Sequence, residues 1–198
     1  MAFALIQFKP EFLDQLGLPH LPLPVRVDRT AARLQEGQIA VGELLAELLL
    51  WLAETPAEKE RYRPVLARLG YLAGVNAGNA KDPISAIGFF RISLDADPND
   101  LTVTRNYGLA LGQSGQLAEA VAVYERLIAH VEKEAFSPEV WQEAVQLHYR
   151  CGNHRRALEL VEQAMARAPN MFTDGPEVVE QLRKHIAEAG PDTQGGKT

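Results

Sequence analysis

The sequence predicts an all-α protein built as an array of helical hairpins, and three observations carry that expectation. Residues recur at a fixed interval: Gly74 and Gly108, Ala86 and Ala120, and Phe90 and Tyr124 each stand 34 residues apart. An interval of that size marks one supersecondary unit repeated along a chain. Turn chemistry falls at matching places, Asp82-Pro83, Ser114-Gly115 and Gly152-Asn153, where each unit needs to reverse direction. No strand-rich segment appears anywhere in the chain.

The repeat continues with one insertion. Ala120 to Ala157 spans 37 residues and Pro98 to Pro169 spans 71, the sum of 34 and 37, so three extra residues enter near Glu132–Ser137. Three units follow: 67–100, 101–137 and 138–171. Small residues at Gly74 and Gly108, set against Ala86 and Ala120, let two helices approach closely. An aromatic ring is then expected to fill the gap toward the next unit. Pro98 and Pro169 are expected to end the second helix of their units.

These positions resemble the tetratricopeptide repeat family. Counted from the start of each unit, that family places a small residue at offset 8, Ala at 20, a large apolar residue at 24, a small or apolar one at 27 and Pro at 32. The first unit supplies Gly74, Ala86, Phe90, Ser93 and Pro98; the second supplies Gly108, Ala120, Tyr124 and Leu127; the third supplies Trp141 at offset 4, then Ala157, Ala164 and Pro169. The second unit lacks the offset-32 proline, and Val145 takes the small-residue place in the third. The resemblance covers just over half the chain. It implies a right-handed superhelical array with a concave groove lined by the first helix of each unit.

The flanks differ. Residues 1–27 hold Leu18-Pro19-His20-Leu21-Pro22-Leu23-Pro24, which favours an extended polyproline-like arm. Residues 28–66 are expected to form a helical cap, with a helix over 29–54. Val41, Leu44, Leu45, Leu48 and Leu52 form its apolar face, widened by Leu49, Leu50 and Trp51. A face this wide must be covered; the first repeat is the expected cover, and a homodimer seam through residues 39–53 is the alternative. Thr55-Pro56-Ala57-Glu58 reads as a helix start with Thr55 as N-cap, and Pro64 is expected to kink or end that helix's first segment. Residues 172–189 are expected to form a C-terminal capping helix, with Val178, Val179, Leu182 and Ile186 on one face. Residues 190–198 read as a disordered tail.

Composition narrows the function classes. Lys and Arg total 20 against 26 Asp and Glu, a net charge of −6, which argues against a general nucleic-acid binder. Residues 1–24 carry no secretory pattern. The most apolar run, Ile39 to Ala53, contains Glu43 and Glu47 and is too short to span a bilayer. A cytoplasmic protein without membrane insertion is expected, and one cysteine allows no internal disulfide.

Chemical motifs are sparse. There is no phosphate-binding loop and no nucleophile elbow. His148, Cys151 and His154 have the three-residue steps of metal ligands, but His148 falls where helices pack and His154 falls beyond the turn. The expectation is one packed imidazole, one small thiol and one exposed imidazole, with no catalytic residue, no metal and no cofactor. What the resemblance does imply is a partner-binding groove at Arg68, Tyr71, Asn79, Arg105, Asn106, Gln142, Gln146, Tyr149 and Arg150. Arginine forks suit carboxylates, so an acidic peptide or segment of another protein is the expected partner. The function expected is a non-catalytic interaction adaptor or assembly factor; the alternative is a substrate-holding chaperone for a secreted or assembling client.

Overall fold

The computed structural model describes residues 29, 33, 40–134, 137–168 and 175–189, with backbone alone for 131–134 and 189. The expected arm (1–27), the tail (190–198) and Pro169 lie outside the described residues. Among the described residues the protein is helical throughout and contains no strand. In chain order these are α1 (Val41–Glu54), a 3₁₀ turn (Pro56–Glu58), α2 (Lys59–Asn79), α3 (Pro83–Ala96), α4 (Leu101–Gln113), α5 (Leu117–Glu134), α6 (Pro138–Arg150), α7 (His154–Arg167) and α8 (Gly175–Ala189). No described helix is long and apolar enough to cross a membrane. The chain divides into two compact units, Met1–Ala110 and Leu111–Thr198.

In the first unit, α1 lays Leu44, Leu45, Leu48 and Leu52 into one cluster with Tyr62, Val65, Leu66 and Leu69 of α2. Trp51 meets the Tyr62 ring edge-on at 5.0 Å, a geometry that adds about 0.5–1.5 kcal/mol to simple burial. The wide apolar face of α1 is therefore covered from within the unit, and Leu50 is left 55% exposed.

Three expectations for this region need correction. The helix read over 29–54 is interrupted: Arg29 and Arg33 are helical, but Ala40 is extended (φ −86°, ψ 153°) and α1 starts at Val41. Thr55 stands at the N-cap of the 3₁₀ turn that leads into α2, with Pro56 opening that turn as expected, but its side chain makes no capping bond there. Its Oγ1 donates back to the Trp51 carbonyl at 2.8 Å, the same oxygen that accepts the Thr55 amide at 3.1 Å. Pro64 neither ends nor divides its helix, because α2 runs unbroken from Lys59 to Asn79. It stands exposed in the second turn, and the apolar burial of Tyr62, Val65, Leu66 and Leu69 around it outweighs the lost hydrogen bond.

The α2–α3 crossing is close. A Cβ on Gly74 would stand 2.5 Å from the Phe90 ring, and one on Gly70 would stand 2.9 Å from the backbone oxygen of Phe89 and the nitrogen of Ser93. The ring at offset 24 thus fills the space left by the small residue of its own hairpin. Ser93, buried at the same crossing, donates from Oγ to the Ala67 carbonyl at 2.7 Å. Asp82 caps α3 by accepting from the Ser85 amide at 3.0 Å, with Pro83 opening the first turn. Asp100 does the same for α4 through the Val103 amide at 2.9 Å.

The hairpin turns share one backbone device. Lys81, Gly115 and Gly152 all have positive φ (61°, 85° and 75°), and their spacings of 34 and 37 follow the sequence repeat. Glycine adopts this conformation freely; lysine does so at a cost of about 1–2 kcal/mol.

In the second unit, the three-residue insertion lengthens α5. That helix has 18 residues where α3 and α7 have 14, about one extra turn. Ala120 and Ala157, like Ala86 in the first unit, are 0% exposed. Tyr124 and Trp141 are fully buried, and the Tyr124 hydroxyl donates to Glu143 Oε2 at 2.7 Å. α8 closes the unit by burying Leu182 and packing against α7.

Candidate functional site

The second unit holds an open groove of about 360 Å³ between α6 and α8. Its lining comes from Val145, Gln146, Tyr149 and Arg150 on α6 and from Val178, Gln181 and Leu182 on α8. The spacings i, i+1, i+4, i+5 and i, i+3, i+4 each put their side chains on one helical stripe. Val145 and Leu182 are buried and make an apolar floor, whereas Tyr149 is 43% exposed on the rim.

Arg150 is partly committed to the fold. Its Nη2 donates to the Gly112 carbonyl at 3.1 Å, near the end of α4, where carbonyls lack helical partners. The same charge stands in the last turn of α6, where a cation complements the helix dipole. Arg150 also lines the groove. A neighbouring trio of rings extends the rim: Tyr149 lies 5.2 Å from His154 and 5.5 Å from His185, and the two imidazoles lie 5.3 Å apart.

The expected groove residues fall into groups. Gln146, Tyr149 and Arg150 come together in this groove, with Gln142 exposed one turn earlier on α6. In the first unit, the Arg68 guanidinium lies over the Tyr71 ring at 5.7 Å, and Asn79 is the exposed last residue of α2. Arg105 and Asn106 are half-buried on α4. Sequence reasoning missed Val145, Val178, Gln181 and Leu182 as lining. The signals were there: Val145 broke the small-residue pattern, and Val178 and Leu182 stood on the apolar stripe of α8.

The polar cluster of this unit is a packing feature. His148 is 4% exposed, with Nε2 3.0 Å from Glu125 Oε1. Glu125 is held by Arg156 through a two-pronged pair at 2.8 and 2.9 Å, and Arg156 also reaches Glu159 at 2.9 Å. The Arg156 hydrogen bond holds the Glu125 carboxyl below its usual range. Burial pushes the His148 imidazole below its usual value, and the Glu125 charge only partly offsets that. His148 therefore faces α5, while His154 packs with Tyr149 and His185; the 148/151/154 spacing does not gather one ligand set. Among the described residues no group of three or more His, Cys, Asp or Glu side chains is placed to hold a metal ion.

Neither a family model nor a curated protein sequence matches the chain. Solved structures do. The TPR domain of Arabidopsis OM64 is 15% identical with a TM-score of 0.52, over 61% of this chain and 97% of that one. The first TPR domain of the human RPAP3 protein is 15% identical with a TM-score of 0.52, over 62% and 94%. A MamA RS-1 double mutant is 18% identical with a TM-score of 0.51, over 83% and 94%. At these identities the likeness is one of fold: an array of paired antiparallel helices.

Proposed function

We propose that this chain, which has the tetratricopeptide-repeat fold, is a non-catalytic protein-interaction module that takes a segment of another protein into the α6–α8 groove. The observation that carries the reading is the groove itself. It has an apolar floor at Val145, Val178 and Leu182, and a rim of Tyr149, Gln146, Gln181 and Arg150. Apolar anchoring with a few polar groups for orientation is the usual composition of a peptide-binding cleft. An exposed tyrosine gives contact area at low entropic cost.

The remaining parts of the reading follow from the same residues. The Arg150 guanidinium favours a partner segment with carboxylates, within a cytoplasmic setting. Arg68, Tyr71, Asn79, Arg105, Asn106 and Gln142 are further candidate contacts. Glu125 is paired with Arg156 and the buried His148 is held below its usual value, which supports an interaction role over acid–base chemistry.

The test is a capture experiment from native lysate with wild type beside a Gln146→Glu/Tyr149→Ala/Gln181→Glu variant. All three substitutions fall on exposed residues, so circular dichroism should stay unchanged. A protein enriched by wild type and lost by the variant supports the groove; equal enrichment by both overturns it.

A further inference from the structure

Three rings from three parts of the second unit meet beside the groove. Tyr149 stands near the end of α6, His154 is the first residue of α7, and His185 lies on α8. The His185 Nδ1 is 2.7 Å from the Gln181 carbonyl oxygen. A carbonyl only accepts, so Nδ1 carries the proton and donates. Nε2 then presents its lone pair, 3.4 Å from the Tyr149 hydroxyl. An imidazole tied by one N–H to a backbone carbonyl has the orientation and tautomer of a metal-ligating histidine, and an ion on Nε2 would replace the long contact to the Tyr149 hydroxyl.

The second imidazole is at a matching distance. Two imidazoles on one tetrahedral ion, with metal–nitrogen bonds of about 2.0–2.1 Å, stand with ring centres about 5 Å apart. His154 and His185 are 5.3 Å apart. Both are partly exposed, so an ion can reach them from solvent.

We propose that His154 and His185 bind one divalent transition-metal ion of the Zn²⁺, Ni²⁺ or Cu²⁺ class, with the Tyr149 hydroxyl beside the ion and water in the open positions. Imidazole donors select this class over Mg²⁺ and Ca²⁺, which take oxygen ligands. The bound ion joins the start of α7 to α8 and so fixes one end of the groove. The site stands on these rings alone and does not depend on what the groove binds.

The experiment uses the full chain without an affinity tag, stripped with chelator, and follows thermal unfolding during titration with Zn²⁺, Ni²⁺, Cu²⁺ and, as control, Mg²⁺. An ion that binds only the folded arrangement raises the midpoint with concentration, by about 5 °C or more near 100-fold excess over its dissociation constant. The rise should vanish in His154→Ala, in His185→Ala and in the milder His185→Gln, persist in His130→Gln, and be absent with Mg²⁺. Electron paramagnetic resonance of the Cu²⁺ form should show two nitrogen ligands in wild type and fewer in His185→Gln. No ion-dependent rise in wild type, or an equal rise and an unchanged Cu²⁺ spectrum in the histidine variants, overturns the site.

Discussion

Replacing glycine by alanine at two places in one hairpin should change stability in opposite directions. In an exposed helix interior with open space, the exchange gains up to about 1 kcal/mol, because glycine is the poorer helix former. Gly88 in α3 is such a place: it is exposed and a Cβ there would meet nothing within 4 Å. Gly70 in α2 is the contrary case. Its Cβ would stand 2.9 Å from two backbone atoms of α3 and 3.1 Å from the Ser93 Cα. Backbone cannot rotate away as a side chain can, so the helices must part by some tenths of an ångström. That overpacking costs about 1–3 kcal/mol. It also stretches the 2.7 Å bond from Ser93 Oγ to the Ala67 carbonyl, worth about 1 kcal/mol. After the propensity gain, Gly70→Ala should destabilise by about 1–3 kcal/mol while Gly88→Ala stabilises by up to about 1 kcal/mol. Urea denaturation read by circular dichroism gives the sign, and amide exchange in α2 and α3 places the loss. Equal shifts, or a neutral Gly70→Ala, would refute the close-crossing argument.

Other outcomes follow from the same structure. Lys81→Gly should stabilise by about 0.5–1 kcal/mol in chemical denaturation, since it removes a positive-φ lysine, and Gly152→Ala should cost about 1 kcal/mol at the equivalent turn. Tyr124→Phe should cost about 1–2 kcal/mol by removing the 2.7 Å bond to Glu143. Stability should fall on acidification. His148 is held below its usual value, so the unfolded chain binds that proton first and stability declines as pH drops through the ordinary imidazole range. Glu125, held low by Arg156, adds a second loss that begins in the ordinary carboxylate range and ends once pH has fallen through its depressed range. Thermal midpoints across pH should show both steps, and His148→Gln should flatten the first.

Much of the fold was legible because repetition is visible without coordinates. Ala86, Ala120 and Ala157 recur because helix–helix contact there admits only a methyl group, and all three are fully buried. The hairpin turns were legible from Asp82-Pro83, Ser114-Gly115 and Gly152-Asn153, but the positive φ of Lys81 was not, because lysine is no signal for that conformation. Thr55 and Pro64 misled for the same local reason. A capping motif and a helix breaker each act on one turn, while burial of Tyr62, Leu66 and Leu69 determines the path of α2. Half of the groove was legible: Gln146, Tyr149 and Arg150 follow from repeat offsets. The wall from α8 was legible only as an apolar stripe at Val178 and Leu182, and packing alone brings that stripe and Gln181 opposite α6.

The central claim is that the α6–α8 groove holds a segment of a protein partner. A photo-crosslinking amino acid placed at Gln146, on the groove, and at Glu119, exposed on α5, tests it directly in native lysate. A discrete crosslinked species is expected at position 146, absent at 119 and lost with Tyr149→Ala. Crosslinks of equal yield at both positions, or at 119 alone, would contradict it.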